Sequence, residues 1–206
     1  MVTDQTFNQQ IQVNNLQIVL GHTIEHQVVF VGPFGVGKTT ALRVVSDIPV
    51  VNTDVASSEA EAGASGQGKT TTTAGFDYGE WRFPDNTKVS LIGVPGQDRF
   101  EAMWDIMLPR SSAIVLWLYG DRDARLMECS KWLNALAMRK SIARLAVAVT
   151  RLPEGNQEEA LKPYRELVSQ YHPLAPIITA DPRLSSDVLQ AITMALTTPY
   201  AALERM

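Results

Sequence analysis

Short apolar runs and helical patterns alternate along the chain, and together they predict a sheet with helices packed against it. Residues 27–31 form a β-branched run that predicts a buried strand. A helical pattern with one broad apolar face follows Lys38 and ends at Pro49, which cannot continue a helix. Residues 76–83 and 88–94 predict two strands joined by a Pro-Asp-Asn turn, and therefore a hairpin.

In the second half, strand and helix patterns take turns more regularly. The apolar runs that predict strands are residues 113–119, 144–150 and 176–179. The amphipathic stretches that predict helices are residues 125–139, 157–171 and 185–196. Strands separated by helices are typical of a largely parallel sheet covered on both faces, so we expect an α/β fold.

Two segments depart from this pattern. Residues 1–15 are polar and predict a loose N-terminal arm or a short edge strand. Residues 52–75 include a Ser/Ala/Glu/Gly-rich stretch without large apolar side chains, so we expect a mobile, solvated loop there. No linker divides the chain, and 206 residues fit one core, so residues 1–206 are expected to form a single domain.

Composition and charge narrow the classes of function. The formal net charge of -4 is small, and it offers no electrostatic case for binding nucleic acid or an anionic membrane. No secretory signal, lipidation motif or apolar run of the roughly 20 residues that a membrane span needs is present. Cys129 is the single cysteine and is expected to be a small apolar core residue. We expect a cytoplasmic protein without its own membrane anchor.

The most specific motif lies directly after the first strand pattern. Residues 32–39 match G-x-x-x-x-G-K-[ST], the P-loop, between an apolar strand and an amphipathic helix. Its glycines let backbone N–H groups turn towards a phosphate, Lys38 can reach the β- and γ-phosphates, and the Thr39 hydroxyl can bind Mg²⁺. The predicted nucleotide-binding residues of this loop are Gly32, Phe34, Gly35, Val36, Gly37, Lys38, Thr39 and Thr40.

The same pattern occurs again at residues 63–70, in different surroundings. A polar run precedes this copy, and threonines that lead into a strand follow it. Without a strand before and a helix after, the backbone amides are not preorganised for phosphate. We therefore interpret the second copy as a decoy.

Two more motifs complete a recognisable order. Threonines 70–73 precede one strand pattern, and Pro95-Gly96-Gln97 follows the next. P-loop, threonine and Pro-Gly-Gln in this order resemble the Ras-like small GTPases, in particular the bacterial group related to the gliding-motility GTPases. The resemblance implies a three-layer P-loop NTPase fold with a mostly parallel six-stranded sheet, one antiparallel hairpin strand, and helices on both faces. It also implies GTP/GDP and Mg²⁺ as ligands.

The resemblance assigns roles to individual residues. Thr73, or failing that Thr72, is expected to coordinate Mg²⁺ and sense the γ-phosphate, unless these threonines simply begin a strand. Gly96 is expected to donate its N–H to the γ-phosphate, and Gln97 to orient the attacking water. Gln97 and Lys38 are thus the expected catalytic residues. Because a glutamine is no strong base, we expect slow intrinsic turnover.

One departure from the family concerns the metal. The family carries an aspartate three residues before the switch glycine, and this chain has Gly93 there. We expect Mg²⁺ to be held by Thr39, Thr73, phosphate oxygens and water, because Mg²⁺ keeps much of its hydration shell. Relatives of the gliding-motility type are expected to lack the acid too, so its loss does not predict an inactive protein.

A second departure concerns the base. The family motif (Asn/Thr)-Lys-x-Asp corresponds to Thr150 and Arg151 followed by Pro153 in the place of the aspartate, with Glu154 one residue late. Arg151 is expected to pack its stem on a purine face. Loss of the acceptor weakens the expected choice of guanine over adenine.

The last expected base contact comes from Thr179 and Ala180, in the place of the family's Ser-Ala-Lys. We expect a GTP-binding switch regulated by a roadblock/LC7-type protein. The alternatives are a nucleotide-binding scaffold with negligible hydrolysis and an ATP-using P-loop protein, which Gly93 and Pro153 keep open.

Overall fold

The computed structural model describes residues 12–13, 16–17, 24–52 and 75–197. The strands in this part of the chain are β1 Gln12–Val13, β2 Leu16–Gln17, β3 Ile24–Val31, β4 Val51–Asn52, β5 Asp77–Arg82, β6 Lys88–Gly93, β7 Ala113–Tyr119, β8 Leu145–Thr150 and β9 Ile177–Thr179. The α-helices are α1 Lys38–Val45, α2 Glu101–Met107, α3 Arg125–Met138, α4 Gln157–Ser169 and α5 Ser185–Thr197.

The main sheet has the strand order β4-β5-β6-β3-β7-β8-β9. β5 runs antiparallel to both of its neighbours, and the pairs β3–β6, β3–β7, β7–β8 and β8–β9 are parallel. The α/β class with one antiparallel hairpin strand is therefore confirmed. The described sheet has seven strands rather than six, because β4 adds two residues at the edge beside β5.

The structure describes four residues near the N-terminus. They form β1 and β2, which pair antiparallel with each other in a separate two-stranded sheet. The rest of the predicted arm, and residues 53–74 with the second P-loop pattern, Thr72 and Thr73, lie outside the described residues.

Two apolar layers enclose the sheet. On one face Val29 and Val31 of β3 pack with α2, α3 and α4, and on the other Val28 and Phe30 pack with α1 and α5. This division follows from the strand period, which sends successive side chains to opposite faces. Cys129 is fully buried in the first layer, and burial raises its thiol pKa to about 12, in agreement with the expected core role.

Helix α2 was not predicted. It occupies the stretch between β6 and β7, where Met103 and Trp104 are buried but no sustained periodicity marks a helix. Trp104 donates from Nε1 to the carbonyl of Pro95 at 2.9 Å and lies 4.5 Å from the Trp132 ring, so tertiary contacts hold this short helix.

Helix α1 is shorter than its pattern. It ends at Val45, where Ser46 turns to an extended conformation, four residues before Pro49. The Ser46 hydroxyl donates to the carbonyl of Ile48 at 2.8 Å and so offers the chain a local alternative to another helical turn.

The strand order reverses at β3. β6 pairs with one edge of β3, and β7, which comes next along the chain, pairs with the other edge. In open α/β sheets, ligands bind at the carboxyl ends of the strands at such a point. The P-loop leaves β3 there. None of the described helices is long and apolar enough to cross a membrane.

Candidate nucleotide-binding site

The P-loop joins β3 to α1 and packs tightly on its surroundings. Gly32 has φ +134°, and a Cβ there would lie 2.1 Å from the carbonyl oxygen of Trp117 on β7. Gly37 has φ +114°, and a Cβ would lie 2.7 Å from Cγ of Pro182. Glycine is thus required at both positions by close neighbours as well as by the backbone conformation.

The start of α1 supplies N–H groups to this loop. The first helical bond runs from the amide of Ala41 to the carbonyl of Gly37 at 2.8 Å. The amides of Lys38, Thr39 and Thr40 precede it and have no helical carbonyl to bond. Together with the positive end of the helix dipole, they form a site that favours an anion.

Lys38 lies against the same loop and is only 9% exposed. Its Nζ donates to the carbonyls of Gly32 at 2.7 Å and Pro33 at 2.8 Å. An ammonium has three N–H groups, so one remains for an incoming anion. Burial lowers the Lys38 pKa to about 8, and the charge of Asp77 acts in the opposite direction.

Thr39 contacts a residue that sequence reasoning missed. Its Oγ1 donates to Oδ2 of Asp77, the first residue of β5. Asp77 is 7% exposed and pairs directly with Gly93 of β6. An aspartate between the aromatic residues Phe76 and Tyr78 of a predicted strand is the sequence signal that could have drawn attention to it.

The Pro-Gly-Gln turn lies directly on the P-loop. A Cβ on Gly96 would lie 2.2 Å from the carbonyl oxygen of Gly32 and 2.7 Å from the amide nitrogen of Phe34. Gln97 follows and is half-buried. Arg99 is exposed and lies over the Phe100 ring, 4.8 Å from its centre.

A cleft of about 650 Å³ opens beside the P-loop. The predicted residues that line it come from the P-loop and from the ends of β8 and β9: Gly35, Gly37, Thr40, Thr150, Arg151, Thr179 and Ala180. The structure therefore gathers residues that are more than a hundred positions apart in sequence. Gln157, Asp181, Pro182 and Arg183 also line the cleft and were not predicted.

Two backbone amides on this side of the cleft are already bonded. Ala180, expected to offer its N–H to a base carbonyl, donates it to Val149 at 3.0 Å. The amide of Asp181 donates to the Asp187 carboxylate at 3.0 Å, and the Asp181 carboxylate pairs with Arg183 at 2.6 Å. In this conformation neither of these two amides is free to bond a ligand in the cleft.

Two side chains offer polar groups there. Thr179 donates from Oγ1 to Oε1 of Gln157 at 3.2 Å, so the Gln157 amide faces the region between β9 and α4. Pro153 and Glu154 are exposed and do not line the cleft. Neither residue therefore supplies a carboxylate to the cleft in place of the aspartate that the Ras-like motif has at the position of Pro153.

Tyr119 connects the two sides of the site. Its hydroxyl donates to the carbonyl of Phe34 at 3.0 Å. The guanidinium carbons of Arg122 and Arg151 lie 3.4 Å and 5.1 Å from the centre of its ring. The predicted base-side arginine is therefore in contact with the residue that supports the P-loop.

The site fits polyphosphate with a hydrated cation. Unbonded helix amides and a buried ammonium suit phosphate oxygens. No group of three or more His, Cys, Asp or Glu side chains gathers among the described residues. The Thr39 hydroxyl and the Asp77 carboxylate are oxygen donors of the type that Mg²⁺ prefers.

Comparison with known proteins supports the fold. No protein-family model matches the chain, and no curated protein matches it. Among solved structures, it is similar to a bacterial selenocysteine-specific elongation factor, EF-Sec, with 18% identity and a TM-score of 0.60 over 84% of this chain and 29% of that one. The chain thus spans less than a third of the elongation factor's length. With the loop geometry above, the likeness identifies an α/β P-loop nucleotide-binding fold.

Proposed function

We propose that this protein is a GTP-binding molecular switch that hydrolyses GTP slowly in the presence of Mg²⁺. The observation that carries the proposal is the contact between the Pro-Gly-Gln turn and the P-loop, because Gly96 lies against the carbonyl of Gly32 that also accepts from the buried ammonium of Lys38. The fold shared with an elongation factor, although distant, is in keeping with guanine-nucleotide use.

The chain's own residues divide the work. The amides at the start of α1 and the third N–H of Lys38 hold the phosphate oxygens. Gly96 donates its amide to the γ-phosphate, and Gln97 orients the attacking water without taking its proton. When bound, Mg²⁺ neutralises charge that develops on the phosphate oxygens. Because Gln97 is not a strong base, the proposed turnover is slow.

The same contact provides the switch. Gly96 packs so closely on Gly32 and Phe34 that even a methyl group would not fit between them. In the proposed triphosphate state the Gly96 amide bonds the γ-phosphate, and in the diphosphate state that bond is absent. The two nucleotides therefore stabilise different positions of residues 95–97.

A roadblock/LC7-type regulator and a cytoplasmic location belong to this proposal by resemblance. One exposed apolar side chain at the site supports recognition by another protein, because Phe34 on the P-loop is 71% exposed. Exposed aromatic side chains are enriched in partner-binding surfaces.

The identity of the bound base distinguishes the proposed GTP-binding protein from the alternative, an ATP-using protein. Pro153 replaces the aspartate that accepts hydrogen bonds from guanine, and the Ala180 amide is bonded to Val149. Displacement of a fluorescent GDP analogue by GTP and by ATP separates the two functions. We expect GTP to compete at a concentration at least about tenfold lower than ATP, a preference worth one hydrogen bond or more. A preference for ATP would support the ATP-using protein.

Single-turnover hydrolysis separates the enzyme from a scaffold. We expect Gln97→Leu to lower the rate at least about tenfold with nucleotide affinity unchanged, because Gln97 acts on the water and not on binding. Gln190→Leu, on an exposed position of α5, is the matched control and should behave as the wild type. A wild-type rate no higher than that of Gln97→Leu would favour the scaffold.

A further inference from the structure

The aspartate that the family places at residue 93 has a spatial substitute on the neighbouring strand. Asp77 of β5 pairs with Gly93 of β6 in the antiparallel register. A Cβ on Gly93 would lie 3.2 Å from Oδ2 of Asp77. The space that a side chain at residue 93 would enter is therefore already held by a carboxylate from the strand beside it.

This carboxylate orients the P-loop threonine. Thr39 Oγ1 donates its proton to Asp77 Oδ2. A hydroxyl that donates to a carboxylate keeps its lone pairs for another partner, and such second-sphere hydrogen bonds orient a metal ligand. The hydrogen bond thus prepares Thr39 to coordinate a cation through oxygen.

The other carboxylate oxygen needs a donor. Oδ1 of Asp77 is buried, and within the described residues no group donates a hydrogen bond to it. A buried acceptor without a partner is costly, and a charged one is more so. Lys38 lies close enough for its pKa to respond to the Asp77 charge, but its Nζ hydrogen bonds go to Gly32 and Pro33.

We propose that Asp77 is the acid of the Mg²⁺ site, holding the Thr39 hydroxyl through Oδ2 and accepting from a metal-bound water through Oδ1. This role rests on the proposed function, because the cation enters with the nucleotide. Mg²⁺ retains several waters when it binds to proteins, and each water offers hydrogen-bond donors to an outer carboxylate. The carboxylate that the resemblance predicts on β6 is thus supplied by β5 instead.

The test measures nucleotide release and not hydrolysis. The rate at which a fluorescent GDP analogue leaves the protein is measured in saturating Mg²⁺ and again in excess EDTA. The rate in EDTA divided by the rate in Mg²⁺ reports how much the metal slows release. We expect Asp77→Asn to lower this ratio at least about tenfold, because an uncharged amide binds a hydrated cation poorly. The release rate in EDTA should change little.

The matched control removes a carboxylate elsewhere on the same strand. Glu80 forms an ion pair with Lys88 at 2.7 Å and does not line the cleft, so Glu80→Gln should keep the wild-type ratio. A wild-type ratio in Asp77→Asn would overturn the proposed metal role and leave the proposed nucleotide binding intact. Failure of the wild type to bind the analogue in either buffer would instead overturn the proposed function itself.

A swap variant decides the question if Asp77→Asn does not fold. Asp77→Gly combined with Gly93→Asp returns the carboxylate to β6, where the smaller residue 77 makes room for it. We expect Mg²⁺ to slow nucleotide release from this variant but not from Asp77→Gly alone. A folded swap variant that releases nucleotide equally fast with and without Mg²⁺ would overturn the proposal.

Discussion

The two halves of the cleft are built differently. On the phosphate side, Gly32, Lys38 and Asp77 are buried and each has a close neighbour across the sheet or loop. On the base side, Arg151 directly follows β8, Gln157 begins α4, and both are exposed. Close packing tolerates little change, whereas exposed positions tolerate much. The proposed polyphosphate site is therefore more strictly specified than the proposed base site.

The largest expected effect is a loss of nucleotide affinity caused by a substitution on the phosphate side. Lys38→Ala removes the buried ammonium and should weaken GDP binding about a thousandfold, roughly 4 kcal/mol, in calorimetry with saturating Mg²⁺. Lys69→Ala, in the second P-loop pattern outside the described residues, is the control and should bind nearly as the wild type does. Equal losses in the two variants would contradict the decoy interpretation.

The second-largest expected effect is a difference in stability between two glycine substitutions, one in the P-loop and one in the loop between β8 and α4. Gly32 and Gly155 both have φ +134°, but a Cβ on Gly32 meets Trp117, whereas a Cβ on Gly155 meets nothing within 4 Å. Alanine at either position incurs backbone strain, and at Gly32 it also overpacks the loop. We expect urea unfolding to show a loss larger by about 2.5 kcal/mol for Gly32→Ala than for Gly155→Ala. Equal losses would mean that backbone strain alone sets the cost.

The smallest effect tests the base side. Gln157→Ala removes an exposed side chain that accepts from Thr179, and it should change the ratio of GTP to ATP affinity by about threefold, because a net neutral hydrogen bond contributes about 1 kcal/mol or less. Displacement titrations with both nucleotides give this ratio. A change above about thirtyfold would place strict base recognition at Gln157 and remove the contrast between the two halves.

Much of the fold could be predicted because its signals are local. The pattern for β7, residues 113–119, coincides with Ala113–Tyr119, since a continuous apolar run between polar residues marks a buried strand. The P-loop was equally clear, with its strand and helix on either side. α2 and β4 could not be predicted, because seven and two residues leave no period and depend on tertiary contacts.

Within the site, spacing along the chain was a poor guide wherever a contact crosses between elements. Gly93 suggested a missing acid, and only the antiparallel register shows Asp77 opposite it. Ala180 suggested a free amide, and only the pairing of β8 with β9 shows that Val149 already accepts from it. The expected ligand Thr73 remains a prediction, because it lies outside the described residues.

The position of Tyr119 limits how independently the nucleotide preferences can be altered. One hydroxyl supports the phosphate loop at Phe34, and the same ring carries the guanidinium of Arg151 at the mouth of the base side. In the proposed nucleotide site, replacements around Arg151 that aim at a different purine therefore also reach the tyrosine that supports the phosphate loop. Redesign of the proposed base preference must keep the contact between Tyr119 and Arg151, because that contact joins the two halves of the cleft.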